Sequence, residues 1–144
     1  MVDSDALDLE TRNAVIRRIP LLGRMGIRIV QLKPTTILTM ELSDDVRGHA
    51  EGTVHGGMLA TFADVSCGTA LEGLFDPQSE VPVTTELHVR YFRQPHTGPL
   101  RCETTVAHRG RRILSSECSI TDGQERLLAR ASATYMIVSG TPLA

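Results

Sequence analysis

From Gly56 to Leu71 the chain reads Gly-Gly-Met-Leu-Ala-Thr-Phe-Ala-Asp-Val-Ser-Cys-Gly-Thr-Ala-Leu, and Asp64 is its single charged side chain. Residues 56–73 carry no turn signal and run too long for a strand, so they are expected to form a helix. A helix that is apolar or small all round is expected to be buried on all sides. A carboxylate placed there is costly unless it is paired, hydrogen-bonded or protonated, and acids in such surroundings cluster at working sites. Asp64 is therefore the first candidate for chemistry. The competing reading is a structural Asp hydrogen-bonded across a subunit contact.

The rest of the chain reads mostly as strands. Residues 6–19 suggest a short amphipathic helix, with Leu7, Leu9, Val15, Ile16 and Ile19 as its apolar members and Pro20 as its stop. Strands are expected over 26–32, 37–42, 84–93, 100–108, 113–121 and 127–138, with a hairpin signal at Asp122-Gly123. Closely spaced strands with short turns imply an antiparallel sheet, and the 56–73 helix is its natural cover. The fold class is thus α+β. The expected organisation is one domain over residues 1–144, with 1–5 and 139–144 as loose termini.

Several function classes are excluded by composition. A net charge of −2 argues against a nucleic-acid partner, which needs a strongly basic face. Cys67, Cys102 and Cys118 are odd in number and lack a C-x-x-C pair, so neither a disulfide framework nor a zinc site is expected. No His, Asp or Glu cluster has metal-ligand spacing. The acidic start Met1-Val2-Asp3-Ser4-Asp5 has no apolar signal region, and no run reaches the roughly 20 apolar residues of a membrane span. A cytoplasmic protein with no membrane partner is expected.

His55-Gly56-Gly57 opens the helix with two glycines, where propensity disfavours them. Glycine there lets a ligand approach the backbone, and first-turn N–H groups at the positive dipole end are unpaired. A carbonyl oxygen resting on them would be polarised; a plain turn glycine pair is the alternative. Gly56 and Asp64 stand roughly 12 Å apart along a helix axis, at about 1.5 Å per residue. One reacting carbon needs contacts of roughly 3 Å. If both groups act on one carbonyl they must come from different chains, so the chemistry predicts a homodimer with shared sites.

Glu51-Gly52-Thr53-Val54-His55-Gly56-Gly57 followed by Asp64 resembles the signature of hotdog-fold thioesterases of the phenylacetate-degradation and 4-hydroxybenzoyl-CoA type. The resemblance extends over Pro20 to Ile27, Thr84 to Arg93 and the basic turn Arg109-Gly110-Arg111-Arg112, about residues 18–138 in all. It implies a hotdog fold, an antiparallel sheet wrapped around one long helix, paired into dimers or dimers of dimers. It implies hydrolysis of an acyl-CoA, with Asp64 as general base or nucleophile and the Gly56 or Gly57 amide on the thioester oxygen. It also suggests that Thr84 positions water or the carboxylate. Many members of the family carry Asn six residues before the His of H-G-G; here that position is His49, whose imidazole can also donate a hydrogen bond.

CoA carries phosphates, and arginine forks match their geometry. Arg109, Arg111 and Arg112 form the favoured group, with Arg90 a further candidate; a solvated hairpin tip is the alternative. His55 is either a ligand contact or a cap on the loop. Ser66 and Cys67 have no base beside them in sequence and are not expected to act as nucleophiles. No cofactor is expected beyond CoA as part of the substrate. Two other functions fit the fold: a non-catalytic acyl-CoA-binding protein, against which Asp64 argues, and an enoyl-CoA hydratase, against which the double glycine argues.

Overall fold

The computed structural model describes residues 4–141, with side chains from Asp8 onward. In chain order it holds α1 (Ser4–Arg18), α2 (Pro20–Arg24), β1 (Arg28–Gln31), β2 (Thr36–Met40), a 3-10 turn at Asp44–Val46, α3 (Gly56–Thr69), β3 (Glu80–Tyr91), β4 (Leu100–Arg109), β5 (Ile113–Thr121) and β6 (Leu127–Ser139). The strands form one six-stranded antiparallel sheet in the order β1-β2-β4-β5-β6-β3. The α3 helix lies against it, touching β2, β3, β4, β5 and β6. This is the expected α+β hotdog arrangement. Of the termini expected to be loose, residues 1–3 and 142–144 lie outside the described residues, as does the side chain of Leu7.

The core is aliphatic, as the scarcity of aromatics requires. Leu59, Phe62, Ala63 and Cys67 of α3 are buried with Leu38, Met40, Leu100, Leu114, Ile120 and Leu128 of the sheet and its turns. β1, at one sheet edge, is tied by Asn13 from α1. The Asn13 Oδ1 accepts the Ile29 N–H at 2.7 Å, and its Nδ2 donates to the Ile29 carbonyl at 2.9 Å. One buried amide thus occupies both edge groups of a β1 residue, which blunts that edge against foreign pairing. At the opposite edge β3 runs for 12 residues with mostly exposed side chains.

Three expectations are corrected. The central helix ends at Thr69, where Ala70 caps it, rather than at Gly73. It is not buried on all sides: the sheet covers one face, and Gly57, Ala60, Thr61, Asp64 and Gly68 form a stripe left open or half-buried. That spacing of three and four residues puts them on one helix face. Pro20 does end the first helix, but it also occupies the first position of α2, where its missing N–H has no helical partner to lose.

The β5–β6 turn is held by Asp122, whose side chain is fully buried in it. Burial alone would push the Asp122 carboxyl up. The amides of Arg126, His96 and Gln124 and the Arg126 guanidinium outweigh this and hold it at about 2. A depressed native value means stability that is present above the unfolded value of about 3.9 and lost as pH falls towards 2. Asp122→Asn is expected to lower the thermal midpoint at pH 7, with the gap to the native protein narrowing between about pH 4 and pH 2. Melting curves of both proteins across that range check it.

Candidate active site

The start of α3 is fixed by a short loop closed through the Arg47–Val54 bridge, the Gly48 N–H to Thr53 carbonyl bond and the His55 N–H to Val46 carbonyl bond. His55 is the N-cap: its Nδ1 accepts the Gly57 N–H at 2.9 Å. Of the two uses weighed for His55, the geometry displays the cap. It also separates the two glycines. The Gly57 amide is engaged, whereas the Gly56 N–H has no partner among the described residues. The Gly56 carbonyl accepts the Tyr91 hydroxyl at 2.6 Å, and burial pushes the Tyr91 pKa up, keeping its proton in place. His49 lies exposed in the same loop, its ring centroid 6.5 Å from that of His55.

Asp64 sits two turns along α3, on the uncovered stripe. Its Oδ1 accepts the Thr84 hydroxyl at 2.9 Å and lies 2.8 Å from the Tyr135 hydroxyl oxygen. That hydroxyl is also 2.7 Å from the Asp64 main-chain carbonyl, so its single proton has two acceptors to choose between. No hydrogen bond reaches Oδ2 among the described residues. Tyr135 is 3% exposed. Burial pushes its pKa far up, and the Asp64 charge adds to the shift, so the phenol remains a donor. Within one chain Gly56 and Asp64 stand roughly 12 Å apart along the helix axis.

Sheet register assembles the remaining candidates unequally. Thr84 pairs with Tyr135, Tyr135 with Leu114, and Leu114 with Arg109. The basic turn with Arg109, Arg111 and Arg112, all exposed, therefore sits at the same end of the sheet as Asp64. Arg90 is not gathered with them. It opposes Arg130 across β3–β6 and lines a groove of about 480 Å³ with His88, Glu103 and Glu117, while Tyr91 next to it reaches the helix. Successive strand residues point to opposite faces, so Arg90 faces away from α3.

Neither Ser66 nor Cys67 is placed to attack a ligand. The Ser66 hydroxyl donates to the Phe62 carbonyl at 2.7 Å, and Cys67 is fully buried. The Cys102 thiol is pushed well up by its hydrogen bond with Cys118 and by burial. Among the described residues no group of three or more His, Cys, Asp or Glu side chains is arranged to hold a metal ion.

Sequence reasoning does not single out Tyr135, which falls within the strand expected over 127–138. A signal existed: it is the one large side chain with a polar tip on a face of Ala and aliphatic residues, and a buried Tyr hydroxyl usually has a partner.

Comparison with known proteins agrees with this architecture. A family model described as the thioesterase superfamily matches residues 51–129. A Pseudomonas aeruginosa protein named as a candidate esterase is 30% identical over 123 residues, covering 84% of this chain and 90% of that protein. A candidate esterase from Saccharolobus solfataricus is 28% identical over 90 residues, 62% of this chain. The match spans about three fifths of the length of that protein and of a second one from the same organism, 59% and 61%. Among solved structures, a Haemophilus influenzae thioesterase superposes with a TM-score of 0.83 at 18% identity, over 91% of this chain and 90% of that one. A mutant thioesterase from Pseudomonas aeruginosa gives 0.85 at 19%, over 92% and 94%. At those identities the structures speak for the shared fold, and the family match adds ancestry: the chain belongs to the thioesterase superfamily.

Proposed function

We propose that the chain hydrolyses acyl-CoA thioesters carrying a small aryl or medium-chain acyl group, in the manner of the phenylacetate-degradation and 4-hydroxybenzoyl-CoA thioesterases, at a site shared between two copies. The observation that carries this reading is a pair of groups on one α3 that have no partner among the described residues: the Gly56 N–H at its start and the Asp64 Oδ2 two turns on.

Edge pairing gives the two groups a way to meet. β3 is a long terminal strand, and such edges are normally paired or covered. If two β3 strands pair antiparallel about a two-fold axis at His88, Leu87 of one faces Val89 of the other, and the register shift between Thr84 and Glu86 brings Thr84 opposite Tyr91. Thr84 holds Asp64, and Tyr91 holds the Gly56 carbonyl. The pairing would bring Asp64 of one copy towards Gly56 of the other and cover both open stripes. A two-fold axis makes two such sites.

In this site the thioester oxygen accepts the Gly56 N–H, which stabilises the charge that develops there. Either water attacks the carbonyl carbon while Asp64 takes its proton, or Asp64 attacks to form a mixed anhydride that water then opens. In both routes the C–S bond breaks, the CoA sulfur takes up a proton and the free acid leaves. His49, exposed in the loop before the helix start with its ring centroid 6.5 Å from that of His55, is the candidate to orient the thioester or its water.

The basic turn is assigned to the phosphates of CoA. Arg111→Ala with Arg112→Ala is expected to raise KM about tenfold and leave kcat within about twofold, because uniform binding is lost and the reacting centre is untouched. The effect should shrink as salt is raised, since exposed charges are screened.

Release of free thiol from a panel of acyl-CoAs tests the function. Hydrolysis of at least one aryl or medium-chain member is the expected result. Loss of enoyl absorbance without thiol release would indicate hydration instead, and tight binding without turnover would indicate a binding protein.

A further inference from the structure

The two oxygens of Asp64 are not equivalent. Oδ1 takes two hydroxyl donors, one from β3 and one from β6, while Oδ2 takes none among the described residues. Thr84 and Tyr135 are register partners on adjacent strands, so the two donors are set by one cross-strand pair. The Tyr135 ring also lies against α3. A Cβ added at Gly68, one turn beyond Asp64, would come within 3.7 Å of the ring and its hydroxyl.

We propose that Tyr135 is a positioning residue for thioester hydrolysis: with Thr84 it pins Oδ1 of Asp64, fixes the carboxylate's rotation, and presents Oδ2 as the reacting oxygen. This rests on the hydrolytic reading of Asp64. It adds an assignment of roles to the two carboxylate oxygens and a residue from the last strand that touches no substrate.

The physical basis is orientation. A carboxylate on a helix rotates about its last torsion among broad minima, and a reacting atom displaced by about 1 Å can lose on the order of 100-fold in rate. Two donors from different strands restrict that rotation more than one. The second acceptor of the Tyr135 hydroxyl, the Asp64 main-chain carbonyl, holds the phenol against the helix when its proton is turned away from Oδ1.

Tyr135→Phe removes the hydroxyl and keeps the ring. Its kcat is expected to fall on the order of 10- to 100-fold, with KM within about twofold, because the group acts only through Asp64. Combining it with Thr84→Val should lose more than the product of the two single losses, since each donor alone still restrains Oδ1. A fluorotyrosine at position 135 guards against misfolding: ring and hydroxyl are kept, and kcat should change in step with donor strength. Native kcat in Tyr135→Phe, a raised KM with kcat unchanged, a double variant that equals the product, or indifference to fluorination would each overturn the positioning role. Asp64→Asn, assayed alongside, separates the two levels. If it is inactive while Tyr135→Phe is native, only the role of Tyr135 fails; if it is fully active, the hydrolytic reading fails as well.

Discussion

Asp64→Asn is expected to lose at least about 100-fold in kcat for acyl-CoA hydrolysis, the lower range for removing a general base. The substitution is close to isosteric, and the new amide oxygen can still accept from Thr84 and Tyr135, which bond to Oδ1 in the native chain. The fold should therefore survive, and a matching thermal midpoint would show it. The group lost is Oδ2, the oxygen without a partner among the described residues; an amide nitrogen there can neither take a proton nor attack a carbonyl. Thiol release measured on both proteins at equal concentration reads the effect directly.

The second large effect concerns the other end of the helix. Gly56→Pro is expected to cost about 100- to 1000-fold in kcat, the range for removing one oxyanion donor. The site suits this substitution. Proline is favoured at the first helical position, and the preceding residue must be extended, as His55 is, with φ −63° and ψ 128°. A Cβ at Gly56 would meet the Tyr91 ring at 3.6 Å, an ordinary contact. The helix should form, and only the N–H is removed.

Mixing the two inactive proteins is the sharper form of this prediction. Each homodimer lacks one half of both of its sites. A mixed dimer holds one site with the native Gly56 of one chain and the native Asp64 of the other. Unfolding and refolding equal amounts together should restore about one quarter of native activity, because half the dimers are mixed and each has one of two sites. Sites contained within one chain would give no recovery.

Most of the fold is legible in the sequence because it is periodic. The alternation of Leu87, Val89 and Tyr91, and that of Ala129 to Ile137, marks two strands that the sheet pairs along their length with one register shift, between Thr84 and Glu86. Boundaries are less legible. β3 begins at Glu80, four residues before the expected Thr84, because Pro82 discourages a strand assignment; on an edge strand proline is tolerated. α2 was missed since Pro20 carries opposite meanings as a stop for one helix and a start for the next.

The candidate site is legible in part for a different reason. Asp64 and Gly56 stand out through local contrast, an acid among apolar residues and a glycine pair where helix formers are expected. The degree of burial is less legible, because apolar composition alone does not distinguish a helix face covered by its own sheet from one left open. Tyr135 lies 71 residues from Asp64 and Thr84 lies 20 away. Their convergence depends on strand order and register, and no local pattern encodes those. The separate fates of the Gly56 and Gly57 amides depend on the rotamer of His55, equally invisible in sequence.

Everything chemical here depends on a backbone amide from one chain and a carboxylate from its neighbour closing on the same thioester carbon. A crystal structure with a non-hydrolysable acyl-CoA analogue measures this most directly. The expected result is the analogue's carbonyl oxygen within roughly 3 Å of the Gly56 nitrogen, and its carbonyl carbon facing Oδ2 of the partner's Asp64 directly or through one water. An analogue bound wholly within one chain, or one with its carbonyl far from both groups, would contradict the shared hydrolytic site.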